Sequence, residues 1–357
     1  MSALRVGVLA YPGCFASEVY GVPDLLSMAT HVAAAQGAAH PAYETSVVSP
    51  RRRVVASGGS RIDVGALRPV DVLIVPGFEL SPGLDLDATL ADLRPETAAV
   101  RAQAEAGAAV VSICVGAFLL AEAGLLAGRE ATTSWLFADR LARRHADIRV
   151  RPDRLVVTDR GVTTTAAFTA MYDFALQFVR EHHGSRVARG TARLALVDDA
   201  RSTQAPYADP QLVPTTGGEF SHAVKRWLDQ NLGARYDLPA LAREFHVSTR
   251  TLLRRFGGEA GETPLAYLQA ARVRRARHLL ETTGRTVASI AADVGYRDPG
   301  AFSGIFIRHT GQRPGEYRAK FRRPGACAVP TRQPAVSLGA GAAAGTGPGA
   351  ADGPDGL

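Results

Sequence analysis

Cysteine is scarce in this 357-residue chain: Cys14, Cys114 and Cys327 are the only three, and their spacing suggests no pairing. So small a set cannot staple a secreted fold, and it points to a reducing compartment. No run of residues is apolar over the length a bilayer demands. No basic-then-apolar leader is visible either, because the N-terminus enters a strand pattern at Leu4 to Ala10. These absences predict a cytoplasmic protein with no membrane partner. Histidine is little better represented: His31, His40, His145 and the pair His182/His183 sit at spacings that suit neither a triad nor a metal site. No catalytic residue, metal or cofactor is therefore expected.

What the chain does contain is a pattern used twice. Phe256, Gly261, Pro264 and Tyr267 recur 50 residues later as Phe306, Gly311, Pro314 and Tyr317. Ahead of each set runs an apolar helical face, Leu238/Leu241/Ala242/Phe245 and then Val287/Ile290/Ala291/Val294, offset by 49 residues. Each copy reads helix, turn, helix, glycine stop, proline restart, which is the pattern of a helix-turn-helix. The charge coincides with it. The chain carries a net +7, yet residues 219–323 alone hold 19 Lys+Arg against 10 Asp+Glu, or +9. A basic segment of this kind suits a polyanion, and double-stranded DNA is the expected partner.

In the first unit Ser248 is placed to cap the second helix, with Thr249, Arg250, Arg254 and Arg255 toward DNA and Leu252, Leu253 and Phe256 packed inward. The second reading helix is expected from about Pro299 to His309, anchored by Phe302 and Phe306. Its outward residues are Gly300, Ala301, Ser303, Gly304, Ile307 and Arg308, a face with few donors, of which Ser303 and Arg308 are the candidates for DNA contact. The first unit is thus expected to carry most of the base readout. Pro264 to Leu280 reads as a helix buried between the units, with Leu265 among its inward residues and Arg272, Arg274, Arg275 and Arg277 open to either phosphate or solvent.

The first half alternates short Val- and Ile-rich runs, at Arg5 to Ala10, Tyr43 to Val48, Val70 to Val75 and Ala108 to Ile113, with helical patterns at Glu96 to Glu105, Ala117 to Leu126, Trp135 to Arg144 and Phe168 to His183. Alternation of this kind predicts an α/β domain: flavodoxin-like, a mainly parallel sheet with helices on both faces. A further helix is expected from 184 to about 196, then a polar, Pro- and Gly-rich linker. The expected organisation is an α/β domain at 1–197, a linker at 198–218, an all-α domain with two helix-turn-helix units at 219–323, and a disordered Gly/Ala/Pro tail at 324–357. Between a buried strand and a helix, Val110 to Leu120 presents Cys114 two residues before Gly116, the setting of a nucleophile elbow in which a helix N-terminus lowers a thiol pKa. No histidine follows it, since Val115 is there, and Thr132-Thr133-Ser134-Trp135 offers hydroxyls only.

Residues 220–323 resemble the DNA-binding domain of the AraC/XylS regulators. The likeness is carried by Ser248, Arg250, Leu252, Arg254, Phe256, Gly261, Pro264, Tyr267 and Leu268, then by Ile290, Ala291, Val294, Gly295, Tyr296, Phe302, Ser303, Phe306, Gly311, Pro314 and Tyr317. Gly304 and Ile307 depart from the basic or polar residues usual there. Residues 4–197 resemble the ThiJ/PfpI group of the class I glutamine amidotransferase-like superfamily through Tyr11-Pro12-Gly13, Glu18, Val75-Pro76-Gly77, the Cys114 elbow and Ala131 to Trp135. The combination is similar to the GlxA-type transcriptional regulators. That resemblance implies a sequence-specific transcription factor, a homodimer paired through its N-terminal domain, contact with RNA polymerase, and residence on the nucleoid when bound to DNA. It also implies a small-molecule effector pocket among Glu18, Gly77, Cys114 and Ser134. The alternatives are a ThiJ/PfpI-type cysteine enzyme and a Cys114 redox sensor coupled to DNA binding.

Overall fold

The computed structural model describes residues 3–37, 43–80, 84–199, 201–209, 212 and 218–322. The tail expected at 324–357, Cys327 with it, lies outside the described residues. Seven strands form the main sheet: β1 (Leu4–Leu9), β2 (Tyr43–Ser49), β3 (Gly65–Ala66), β4 (Val72–Val75), β5 (Ala109–Ser112), β6 (Val156–Asp159) and β7 (Val162–Thr165). Their order is β6-β7-β5-β4-β1-β2-β3, and every neighbouring pair is parallel except the β6–β7 hairpin. β4 is buried along its whole length and β1 and β5 nearly so, which explains why they read as continuous apolar runs. The hairpin and the short β3 escaped the sequence pattern, because Thr-rich and two-residue strands lack apolar periodicity.

Helices α1 (Ala16–Ala35), α2 (Leu86–Asp92), α3 (Arg94–Glu105), α4 (Ala117–Glu122), α5 (Ala138–Arg144) and α6 (Ala170–Ala195) belong with this sheet. α1 and α6 pack against each other, so they cover one region of the sheet together. Gly184 interrupts α6 at φ 81 and ψ 166, so the helix expected at Phe168 to His183 and the one expected from 184 are two arms of one element.

The second half is helical: α7 (Glu219–Gln230), α8 (Leu238–Glu244), α9 (Thr249–Ala260), α10 (Pro264–Thr282), α11 (Val287–Asp293), α12 (Pro299–Thr310) and α13 (Pro314–Phe321). The duplication is visible in the caps. Asp237 and Thr286 cap α8 and α11, while Ser248 and Asp298 cap α9 and α12. Both reading helices stop at a left-handed glycine, Gly261 at φ 72 and Gly311 at φ 71, a conformation other residues enter only with strain. Two separate cores result. Val224, Leu228, Leu241, Leu252, Phe256 and Leu268 fill the first. The second is built on Leu279, Leu280, Ile290, Phe302, Phe306 and Tyr317. α10 lends residues to both.

Candidate functional sites

On α9 the side chains divide by helical period. Leu252 and Phe256 are fully buried, and Arg250 and Arg254, one turn apart, are exposed. Ser248 Oγ accepts from the Thr251 N–H at 3.2 Å, so this cap is committed to the helix. Thr249 is half-buried beside it. Leu253 is 40% exposed and stands on the Arg250/Arg254 side of the helix instead of packing inward, because positions 252 and 256 already fill the core contact. Arg255 is exposed but folds back: its guanidinium lies 4.0 Å from the centroid of Phe220 on α7. That cation–π contact orients it along the domain's flank, a constraint set by a residue 35 positions earlier and invisible in the local pattern.

On α12, Gly300, Ala301, Gly304, Ile307 and Arg308 are exposed and Ser303 is half-buried. Ser303 Oγ donates to the Pro299 carbonyl at 2.8 Å, so its hydroxyl proton is already used. Arg308 is the remaining full charge on this face.

The four arginines of α10 have distinct fates. Arg272 is buried; its Nε donates to the Leu232 carbonyl at 2.8 Å and its Nη2 to that of Ala234 at 2.5 Å, tying α10 to the end of α7. Arg274 pairs with Asp229 at 3.5 Å. Arg277 donates from Nε to the Tyr317 hydroxyl at 2.8 Å. Only Arg275 is exposed. Leu265 is exposed as well, not inward.

In the α/β half, Cys114 follows β5 at φ 51, a strained left-handed turn that brings the chain into α4. Gly116 makes the turn possible: a Cβ there would stand 2.5 Å from the carbonyl oxygens of both Val75 and Pro76. Glu18, on α1, is completely buried, and its Oε2 accepts from the Gly77 N–H at 2.5 Å. Its other oxygen has no partner among the described residues. Burial pushes the Glu18 carboxyl up to about 7, and the Gly77 hydrogen bond offsets part of this. The Ser134 side chain and the backbone of Phe168 and Val115 lie near enough to the Cys114 thiol to draw its pKa down. Thr133 Oγ1 donates to the Cys114 carbonyl at 2.7 Å. Glu18, Gly77, Cys114 and Ser134 therefore meet at one point.

The thiol expectation is corrected. Desolvation and the neighbouring Glu18 push Cys114 up to about 12, against the downward pull of its hydrogen bonds. The helix behind the elbow is too short, and the thiol too deep, for a helix terminus to reverse that balance. At neutral pH the thiol is therefore held in its protonated form. Cys114 is 8% exposed; the Phe15 N–H donates to the Gly77 carbonyl at 3.0 Å, and the Phe15 ring pairs edge-to-face with Phe168, centroids 6.0 Å apart. Neither ring was legible as a site residue, since both lie in short connecting segments without a motif.

Two capped helix-turn-helix units sharing one helix, in the basic part of the chain and joined to an α/β domain, define a DNA-binding regulator. Comparison with known proteins agrees: residues 23–181 match the DJ-1/PfpI family and residues 241–320 a helix-turn-helix domain. The chain is 31% identical over 282 residues to the HTH-type transcriptional regulator Rv1931c of Mycobacterium tuberculosis, covering 71% of this chain and 96% of that protein. It is 30% identical over 300 residues to the regulator CdhR of Pseudomonas aeruginosa (79% and 83% covered), and 29% identical over 240 residues to GlxA of Rhizobium meliloti (64% and 71% covered). The chain belongs to the AraC-type helix-turn-helix transcriptional regulators that carry an N-terminal DJ-1/PfpI domain. Among the described residues no helix is long and apolar enough to cross a membrane, and no cluster of His, Cys, Asp and Glu could hold a metal ion.

Proposed function

We propose that this regulator acts as a homodimer paired through its α/β domain, that it reads DNA mainly with α9, and that a small molecule seated against Cys114, Glu18, Gly77 and Ser134 adjusts its activity. The observation that carries the DNA part is the asymmetry of the two reading faces: Thr249, Arg250 and Arg254 on α9 against Gly300, Ala301, Gly304 and Ile307 on α12. An exposed guanidinium on a reading helix can donate two hydrogen bonds to guanine, whereas an apolar or glycine position offers none. Arg308, exposed on α12, then serves phosphate. Arg250→Ala or Arg254→Ala is expected to cost about 1–3 kcal/mol on the cognate site and far less on random DNA. Equilibrium binding at one fixed salt concentration measures this, and an equal loss on both DNAs would demote the residue to a phosphate contact.

The pocket reading is supported by a buried Glu18 oxygen with no partner among the described residues, on a carboxyl close enough to the Cys114 thiol to raise its pKa. The domain is proposed to bind and not to turn over: burial and the neighbouring Glu18 both keep the Cys114 thiol neutral, and a neutral thiol is a poor nucleophile. The same neutrality weighs against peroxide sensing. Thiol-dependent turnover of dicarbonyls or amides by the purified protein, lost in Cys114→Ala, is the result that would reverse this reading.

A further inference from the structure

The stretch read from sequence as a plain polar linker contains a docked strap, residues 201–208. At its start Arg201 grips the α/β domain, donating from Nε to Asp173 at 3.2 Å and from Nη1 and Nη2 to Thr169 at 3.2 Å. Thr203 Oγ1 donates to the Asp153 carbonyl at 2.6 Å. Gln204 is then inserted beside the elbow, 2% exposed. Its Nε2 donates to the Thr133 carbonyl at 2.9 Å, and its Oε1 accepts from the Trp135 N–H at 3.0 Å. Residues 206–208 bind the other domain. Arg277 on α10 donates to the carbonyls of Pro206, at 2.9 Å, and Ala208. The Tyr207 ring stands edge-on to Phe321, centroids 5.3 Å apart, with Lys320 Nζ 5.3 Å above it.

Gln204 thus straddles Ser134: it bonds the backbone of the residue before and the residue after. Thr133 in turn bonds the Cys114 carbonyl, and Arg277 bonds Tyr317 in the core of the second helix-turn-helix unit. We propose that Gln204 and Arg277 are the two ends of a mechanical link, through which the occupancy of the Cys114–Ser134 pocket sets how firmly the second helix-turn-helix unit is held to the α/β domain. The link deepens the pocket reading above and rests on it. A buried amide cannot leave by halves, since partial withdrawal strands the Thr133 carbonyl and the Trp135 N–H without partners. The strap is therefore docked or released, a two-state element that both domains bias. Its contacts fall on α10, on α13 and, through Thr203 beside Gly311, at the end of α12, leaving the outward face of α12 open. Docking orients the second unit without masking it.

The test is hydrogen exchange by mass spectrometry on the full-length protein without DNA. Tyr207→Ala, on the helical side, is expected to speed exchange at residues 132–137 of the α/β domain by about threefold or more. Gln204→Ala, on the α/β side, should do the same at residues 314–321. Arg277→Lys, which keeps the charge but cannot reach both carbonyls and Tyr317, should act on residues 132–137 as Tyr207→Ala does. Unchanged exchange in β5 and α9 certifies that the variants are folded. Changes confined to the mutated side would overturn the link. A separate arm tests the pocket: Ser134→Leu, which adds bulk there and replaces neither of the residues that Gln204 bonds, should speed exchange at 314–321. If that arm alone fails, the pocket reading fails while the link stands.

Discussion

Phe306→Ala is expected to destabilise the second helix-turn-helix unit by about 3–5 kcal/mol, the usual cost of deleting a buried aromatic and leaving a cavity. Phe306 has no exposed surface, stacks tilted on Phe302 at 5.6 Å between centroids, and meets Tyr317 edge-on at 5.4 Å. All three rings lie in a core that shares none of its buried residues with the first unit. That separation shapes the outcome. The first unit should keep its fold and its DNA contacts, so a footprint on the cognate site is expected to shorten to the segment covered by α9 and not to disappear. Complete loss of specific binding, with the first unit still folded, would show that the two units read DNA only as a pair.

Glu18→Gln is expected to remove most of the pH dependence of α/β-domain stability between about pH 4.5 and 7. Burial raises the folded-state carboxyl to about 7 from an ordinary value near 4.5. A raised folded pKa contributes stability that is complete below the unfolded value and is lost as pH climbs through the folded one. The span corresponds to about 3 kcal/mol in wild type. Glutamine, neutral throughout, still accepts the Gly77 N–H and pays no such penalty, so at pH 8 the variant should be the more stable by about 2–3 kcal/mol. Denaturant titrations in a Trp227→Phe background, where Trp135 is the sole tryptophan and reports the α/β domain, check this. Asp173 is also raised by burial and adds slope of the same sign, so the informative quantity is the difference between variant and wild type. Equal slopes in the two proteins would mean that Glu18 is charged in the fold at neutral pH.

Much of the helical half was legible because its signals are local. A cap, an apolar face and a glycine stop are all set within about twelve residues, and their recurrence at a 50-residue offset makes chance an unattractive explanation. The α/β elements of β1, β2, β4 and β5 were legible for a similar reason, as apolar runs of strand length. Arg272 and Arg275 could not be told apart. Three residues separate them on one helix, and only the packing of α7 against α10 buries the former on two carbonyls while leaving the latter in water. Leu253 looked like core because leucine usually is, yet the first unit has no room for it.

The sequence by itself determined the two-part architecture, the twin reading helices and the poverty of the second one, since each depends on residue type and spacing along a few turns of chain. The tertiary structure alone decided the state of the cysteine site and the nature of the connection between the halves. A helix terminus argues for a reactive thiol, but the thiol is held at about 12 by burial and by Glu18, which lies 96 residues away in sequence. Gln204 sits in a polar stretch that announces nothing, and becomes a buried anchor only because Thr133 and Trp135 leave a carbonyl and an N–H facing one another across its amide. Desolvation and long-range hydrogen bonding are properties of the packed molecule, and no window on the chain contains them.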